Sequence, residues 1–196
     1  MDLTEKKSKA LDILKLPTSI RELRGALCLY GYYRKFIKDF ARLAQPLTEL
    51  LRTDVPKPWK VGKKPKNWTK EQIHSFETIK QKLKERPILG HPDWDVPFII
   101  QTDGISKGIG AVLCQKIQKK EVVIMYASCS LNKAESSYTI PEIEALAVVW
   151  AIDVFKHYFE CNPHPISVVT DHAALKWFMK RKDGSPRVMR WIMRLQ

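Results

Sequence analysis

The sequence lacks a hydrophobic run long enough to cross a membrane. Its longest uninterrupted apolar stretch covers residues 145–152, whereas a spanning helix needs about 20 residues. The opening residues, MDLTEKKSKA, contain no apolar segment of the kind that a secretory signal carries. We therefore expect no membrane partner and an intracellular location, in the cytoplasm or the nucleus.

Cysteine is sparse, and no two cysteines form a CxxC pair. A structural zinc site needs closely spaced ligand pairs, and a disulfide scaffold needs a dense set of cysteines in a short chain. The sequence favours neither, and we expect plain thiols in a reducing compartment. The chain has four of them: Cys28, Cys114, Cys129 and Cys161.

Acidic residues are few relative to basic ones. The 196 residues include 34 Lys and Arg against 21 Asp and Glu, a net charge of +13. Residues 1–90 hold 21 basic and 10 acidic side chains, whereas residues 91–196 hold 13 and 11. A surplus of this size predicts a polyanionic partner. Because no membrane segment is present, nucleic acid is the favoured partner of the first half.

Length and pattern predict two domains, divided between residues 87 and 88. In the first domain, apolar spacing predicts helices over 18–31, capped by Thr18, and over 33–44, with Pro46 interrupting the pattern. The Lys- and Pro-rich residues 54–68 predict an exposed loop. A helix over 69–85 follows, with Thr69 and Gln72 as its capping box.

The second domain has a different pattern. Three Val- and Ile-rich strands are predicted over 96–103, 108–115 and 121–128, followed by an apolar helix over 139–161. A strand over 165–170 and a helix over 172–180 come next. The order β-β-β-α-β-α predicts an α/β fold with a mixed sheet, because the meander is antiparallel and the crossover is parallel.

Three carboxylates occupy conspicuous positions in this pattern. Asp103 ends the run FIIQT, Asp171 ends ISVVT, and Glu144 lies near the start of the apolar helix. Each also has a structural interpretation, since Asp is common in turns and Glu complements a helix dipole. Thr139 and Glu142 form a capping box, which gives Glu142 a structural role. Glu144 instead shares the apolar face with Ala147, Val148, Ala151 and Phe155.

A carboxylate on a buried helix face needs a compensating partner. Two aspartates cannot supply it, because like charges repel, but divalent cations can hold such a cluster through its oxygen ligands. We expect two ions, Mg²⁺ or Mn²⁺, which would promote hydrolysis of a phosphodiester.

Several strings of this sequence resemble one known family. They are LRGALCLYGYYRKFIKDFARLAQPLTELL, PILGHPDWDVPFIIQTDGISKGIGAVLCQ, YASCSLNKAESSYTIPEIEALAVVWAI and VVTDHAALKWF. Together they resemble the thumb or connection segment and the RNase H domain of a gypsy-type LTR retrotransposon Pol polyprotein. The resemblance covers nearly the whole chain from about Leu16.

The resemblance implies an RNase H-like fold preceded by a small basic helical thumb subdomain. It implies hydrolysis of the RNA strand of an RNA·DNA hybrid, with Asp103, Glu144 and Asp171 as catalytic metal ligands. The remainder of the polyprotein is the implied protein partner. The helix around Gly25 to Arg34 resembles a helix that follows the primer-template duplex, whereas the alternative is a core helix with packed tyrosines. The expected nucleic-acid-binding residues are Gly25, Tyr32, Tyr33, Arg34 and Lys35, with Lys63, Lys64 and Lys66 added from the basic loop.

The sequence also departs from the family pattern. No polymerase aspartate motif is present, and TDGIS replaces the usual TDAS after Asp103. The family's fourth carboxylate is expected beyond Gln196, so we expect a C-terminally truncated domain with attenuated hydrolysis. Two alternatives remain open: a nucleic-acid-binding remnant with weak or no catalysis, and a protein-interaction scaffold.

Overall fold

A computed structural model of the chain describes residues 14–52, 68–85, 89–160, 162–170 and 186–195. The chain divides into two compact units, Met1–Ile88 and Leu89–Gln196. Each unit has its own hydrophobic core.

The described part of the first unit is helical. Its helices are α1 (Ile20–Tyr32), α2 (Phe40–Thr48) and α3 (Lys70–Glu85), with 3₁₀ turns at Arg34–Phe36 and Glu49–Leu51. Apolar positions at helical spacing turn toward one core, which removes their side chains from water. The largest fully buried side chains there are Leu23, Tyr30, Ile37, Leu47, Leu50, Phe76 and Ile79.

The helix starts follow the capping chemistry of the sequence, with one correction. Ser19, not Thr18, caps α1, because the Ser19 hydroxyl accepts the Glu22 N–H at 3.2 Å. Thr18 contributes from one residue earlier by donating its own N–H to the Glu22 carboxylate at 2.7 Å. The predicted capping box of α3 is confirmed: Thr69 and Gln72 exchange bonds of 3.1 and 3.2 Å.

The predicted continuous helix over 33–44 is wrong. After a 3₁₀ turn, Ile37 is extended and almost fully buried, and Asp39 adopts a left-handed backbone with φ 56°. Burying Ile37 outweighs the local helical pattern. Pro46 does not interrupt the helix either, since α2 continues to Thr48. The helix persists without the backbone hydrogen bond that a proline cannot make, and the next residue, Leu47, is fully buried in the core.

The second unit contains strands β1 (Phe98–Ile105), β2 (Gly108–Ile117), β3 (Lys120–Ser130) and β4 (Ser167–Thr170). Helix α4 (Ile140–Phe159) connects β3 to β4, and α5 (Pro186–Leu195) follows. In the described residues the sheet order is β3-β2-β1-β4, with β4 parallel to β1 and the other pairs antiparallel. The predicted α/β fold with a mixed sheet is confirmed. The predicted helix over 172–180 lies outside the described residues.

Helix α4 packs on one face of this sheet. Alternate residues of β1, Phe98 and Ile100, are buried against Ala151 and Phe155 of the helix. Strands β2 and β3 add Leu113 and Ile124 to the same cluster. Within the described ranges, no helix is long and apolar enough to cross a membrane.

Candidate functional site

Asp103 lies near the carboxyl end of the central strand β1. It pairs with Gly110 of β2, and the strand continues for two residues beyond it, to Ile105. The prediction that Asp103 ends its strand is therefore wrong by two residues, because the hairpin pairing extends to Ile105 and Gly108. The Asp103 side chain is exposed, on the alternate side of the strand from the buried Thr102 and Gly104.

Glu144 lies in the first part of α4 and is only 6% exposed. The start of this helix is fixed by the predicted capping box, in which Thr139 donates its N–H and hydroxyl to Oε2 of Glu142 at 3.0 and 2.9 Å. Ala147 and Ala151 are fully buried further along. The predicted division of roles is confirmed: Glu142 caps the helix, and Glu144 lies on its buried face.

One close packing contact brings these two segments together. A Cβ atom built on Gly104 would lie 2.8 Å from Cγ2 and 3.3 Å from the carbonyl oxygen of Ile143. Gly104 follows Asp103 and Ile143 precedes Glu144, so the backbones that carry the two carboxylates are neighbours. Their surroundings differ, because Asp103 is exposed and Glu144 is buried.

We expect Gly104→Ala to destabilise the second unit by about 1–3 kcal/mol, the usual cost of overpacking. The Ile143 side chain has little freedom to move, because it is β-branched and lies on a helix. Urea unfolding measures the loss. Ile143→Ala removes Cγ2, so the double variant should be more stable than the sum of the two single effects predicts. Strict additivity would contradict a direct clash.

The third predicted carboxylate, Asp171, lies outside the described residues. The residue before it, Thr170, pairs with Thr102, the residue before Asp103. Thr102 is 6% exposed, and its hydroxyl has no hydrogen-bond partner among the described residues. A buried hydroxyl without such a bond is uncommon, and it is a group that a water or another polar group would satisfy.

The donor set fits a divalent cation of the magnesium type in its chemistry. Asp103 and Glu144 supply carboxylate oxygens, the ligands that such ions prefer. Within the described part of the chain, no three acidic, histidine or cysteine side chains form a group that could hold a metal. Of the three predicted ligands, Asp103 and Glu144 lie within the described residues and Asp171 lies outside them.

Sequence reasoning missed a basic residue at this end of α4. Arg187 of α5 donates from Nη2 to Oε1 of Glu142 at 2.8 Å. The Thr139 backbone N–H holds the pKa of the Glu142 carboxyl below its usual value, and Arg187 acts in the same direction. The hydrogen bond to Glu142 raises the pKa of Arg187 in turn. No local motif announces this pair, because its members are 45 residues apart.

The predicted nucleic-acid-binding residues of the first unit have different exposures. Gly25 is exposed on α1, and a Cβ atom there would meet nothing within 4 Å. Tyr32 is 75% exposed, and Tyr33 is half-buried with its ring edge-to-face on Tyr32 at 4.9 Å. Arg34 and Lys35 are exposed. Lys63, Lys64 and Lys66 lie outside the described residues.

Two further exposed arginines of α1 are not among the predicted binding residues. Arg21 and Arg24 lie on the same helix as Gly25, on the side away from the buried Leu23 and Ala26. The spacing of Arg21 four residues before Gly25 places the two on one face and could have identified it.

One protein family matches the second unit. The family described as an RNase H-like domain found in reverse transcriptase matches residues 93–196. Solved structures of foamy viral protease-reverse transcriptase are also similar to the chain. The match to the structure in complex with RNA/DNA hybrid has a TM-score of 0.76 at 21% identity. It covers 99% of this chain and 26% of the foamy viral chain. The match to the structure in complex with dsDNA has a TM-score of 0.75 and covers 100% of this chain and 40% of the foamy viral chain.

Curated relatives are similar over almost the whole chain. The retrovirus-related Pol polyprotein from transposon opus of Drosophila melanogaster is 36% identical over 193 residues, which is 97% of this chain and 19% of that protein. The polyprotein from transposon 297 of the same organism is 35% identical over 96% of this chain. Transposon Tf2-3 polyprotein of Schizosaccharomyces pombe is 34% identical over 93%. The chain thus spans about a fifth or less of the length of these relatives.

Proposed function

The chain belongs to the family of RNase H-like domains found in reverse transcriptases, and we propose that it binds an RNA·DNA hybrid and hydrolyses the RNA strand. Family membership confirms the resemblance to retrotransposon Pol polyproteins. What we propose beyond family membership is the reaction, its metal ions and its substrate. The observation that carries it is the contact of Gly104 with Ile143, which makes neighbours of the segments bearing Asp103 and Glu144.

Asp103, Glu144 and Asp171 are the proposed catalytic residues and metal ligands. Asp103 offers an exposed carboxylate that solvent and a phosphate can reach. Glu144 offers a carboxylate held in place by a capped helix. When bound, two Mg²⁺ or Mn²⁺ ions would activate a water and stabilise the departing 3′-oxygen. The chain provides the ligands and their orientation, and none of its side chains acts as a nucleophile in this scheme.

The first unit is proposed as a thumb or connection segment that holds the duplex. Its net charge, +11 over residues 1–90, supplies attraction for phosphates without sequence preference. Gly25 and Tyr32 are seven residues apart, so they project from the same side of α1, about 10 Å apart along its axis. Gly25 leaves space for a backbone to approach, and Tyr32, Tyr33, Arg34 and Lys35 follow at the end of the helix.

Gly25→Ala tests this role, because stability and binding should change in opposite directions. Alanine is a better helix former than glycine by about 0.5–1 kcal/mol, and nothing lies within 4 Å of the new methyl group. We expect a more stable first unit and weaker hybrid binding, measured by thermal unfolding and by fluorescence anisotropy.

Gly31→Ala is the matched control, since a Cβ atom there also meets nothing within 4 Å. It lies six residues from Gly25 and faces another side of α1. It should add stability and leave binding unchanged. Equal binding by both variants would contradict close approach of the duplex at Gly25.

Attenuated hydrolysis is the second part of the proposal. The resemblance implies four carboxylates, and three of them have counterparts in residues 1–196. A polypeptide without the fourth carboxylate should cleave more slowly than one that has it, because a two-metal site depends on the correct placement of both ions. A cleavage assay on labelled hybrid, with enzyme in excess, tests both parts of the proposal. A longer polypeptide that includes the family's following Asp should be faster than the same polypeptide with Asn there.

A binding protein with weak or no catalysis is the second candidate function. The concentration of positive charge in residues 1–90 favours it, because this charge supports duplex binding whether or not the carboxylates hold ions. Tight, salt-dependent binding of hybrid without metal-dependent cleavage would select this candidate.

A further inference from the structure

A group of side chains around Arg187 joins α5 to the start of α4. We name it the Arg187 cluster, and it consists of Tyr138, Glu142, Arg187 and Trp191. The guanidinium carbon of Arg187 lies 3.8 Å from the centroid of the Tyr138 ring and 5.9 Å from that of Trp191. Its Nη2 donates to Glu142 at 2.8 Å. A charged hydrogen bond and two aromatic rings therefore hold one guanidinium in place.

Glu142 connects this cluster to the helix cap. Its Oε2 accepts the N–H and hydroxyl of Thr139, which fixes the first turn of α4. Its Oε1 accepts from Arg187. A single carboxylate, 18% exposed, thus ties α5 to the point where α4 begins.

Glu144 follows two residues later on the same rigid helix. The next residue, Ala145, and Val148 pack against Val188 and Ile192 of α5. Helix α5 therefore contacts α4 on both sides of Glu144 in the sequence, through the charged cluster before it and the apolar cluster after it.

We propose that Arg187 is a positioning residue for Glu144. By fixing the start of α4 against α5, it sets the position and direction of the Glu144 carboxylate toward the ions that this carboxylate is proposed to hold. The inference rests on the proposed function. Arg187 acts through Glu142 and the helix backbone, so its loss should weaken ion binding more than it slows the reaction at saturating ion.

Arg187→Met replaces the guanidinium group with an unbranched apolar side chain, which removes the positive charge and the hydrogen-bond donors. We expect the Mg²⁺ concentration for half-maximal hybrid cleavage to rise about 10-fold, the lower end of the effect of losing outer support for a metal ligand. The rate at saturating Mg²⁺ should fall less. The rise in melting temperature caused by Mn²⁺ should move to higher ion concentration by a similar factor, which provides a readout without cleavage. Arg187→Lys should lie between, since lysine keeps the charge but loses the planar fork.

Arg194→Met is the matched control. Arg194 pairs with Asp153 at 3.0 Å and joins the same two helices, nine residues beyond Glu144. Its loss should leave the metal midpoint, the Mg²⁺ concentration for half-maximal cleavage, unchanged.

Glu142→Gln is the second test variant, and it also replaces Arg187→Met if that variant does not fold. Glutamine still caps the helix but weakens the bond to Arg187, so the metal midpoint should shift in the same direction as in Arg187→Met.

Unchanged midpoints in Arg187→Met and Glu142→Gln, or an equal shift in Arg194→Met, would overturn the positioning role while the proposed function stands. A wild-type chain whose cleavage and melting temperature both ignore Mg²⁺ and Mn²⁺ would overturn the proposed function, and the positioning role with it.

Discussion

Asp103→Asn is expected to lower the rate of hybrid cleavage by about 100- to 1,000-fold, the usual loss when one preorganised electrostatic group is removed from an active site. The side chain is exposed near the carboxyl end of β1, so the substitution should cost little stability. Hybrid binding should change little, because the first unit supplies most of the positive charge. Single-turnover cleavage and fluorescence anisotropy measure the two quantities.

Asp95→Asn is the control for this substitution. It makes the same change of charge at an exposed residue that precedes β1. Its rate should match that of the wild type. If Asp103→Asn cleaves as fast as Asp95→Asn, Asp103 is not a metal ligand and the proposed site is wrong.

Affinity for the hybrid should fall about 1,000-fold between 50 and 200 mM salt if the chain neutralises about six phosphates, because each neutralised phosphate releases condensed counterions. The basis is the surplus of 21 basic over 10 acidic side chains in residues 1–90. The slope of log affinity against log salt, measured by anisotropy, gives the number of phosphates that the protein neutralises.

Reversing the charge of Lys63, Lys64 and Lys66 should reduce this slope, by up to about 0.9 for each phosphate that is no longer neutralised. The control reverses three lysines of the second unit, at and next to the β2–β3 turn: Lys116, Lys119 and Lys120. An equal reduction in both triple variants would indicate a general effect of net charge. No reduction in the first would remove the 54–68 segment from the binding surface.

Local chemistry predicted the starts of α3 and α4 and the burial of Glu144. The Thr139–Glu142 and Thr69–Gln72 capping boxes depend on residues three apart, so the sequence contains all the information they need. The 3.6-residue period likewise placed Glu144 on the buried face of α4. The break at Ile37 was not predictable in this way, because it depends on burial of that side chain in a core formed by distant residues.

The candidate site also combines residues that local sequence predicted with a residue that only the tertiary structure reveals. Asp103 and Glu144 were found as carboxylates in unusual positions, and the structure makes their backbones neighbours through Gly104 and Ile143. Arg187 could not be found, because its bond to Glu142 crosses 45 residues and belongs to no motif. Tertiary contacts of this kind follow from the packing of α5 on α4, which the sequence period alone does not specify.

Cleavage of a labelled RNA·DNA hybrid by the 196-residue chain, with and without Mg²⁺ or Mn²⁺, tests the central claim most directly. Enzyme in excess makes slow hydrolysis measurable, and single-stranded RNA and duplex DNA serve as control substrates. The proposed function predicts metal-dependent cuts in the RNA strand of the hybrid that EDTA abolishes and Asp103→Asn nearly abolishes. Saturated binding of the hybrid with no cleavage in either ion would contradict it and leave a duplex-binding protein.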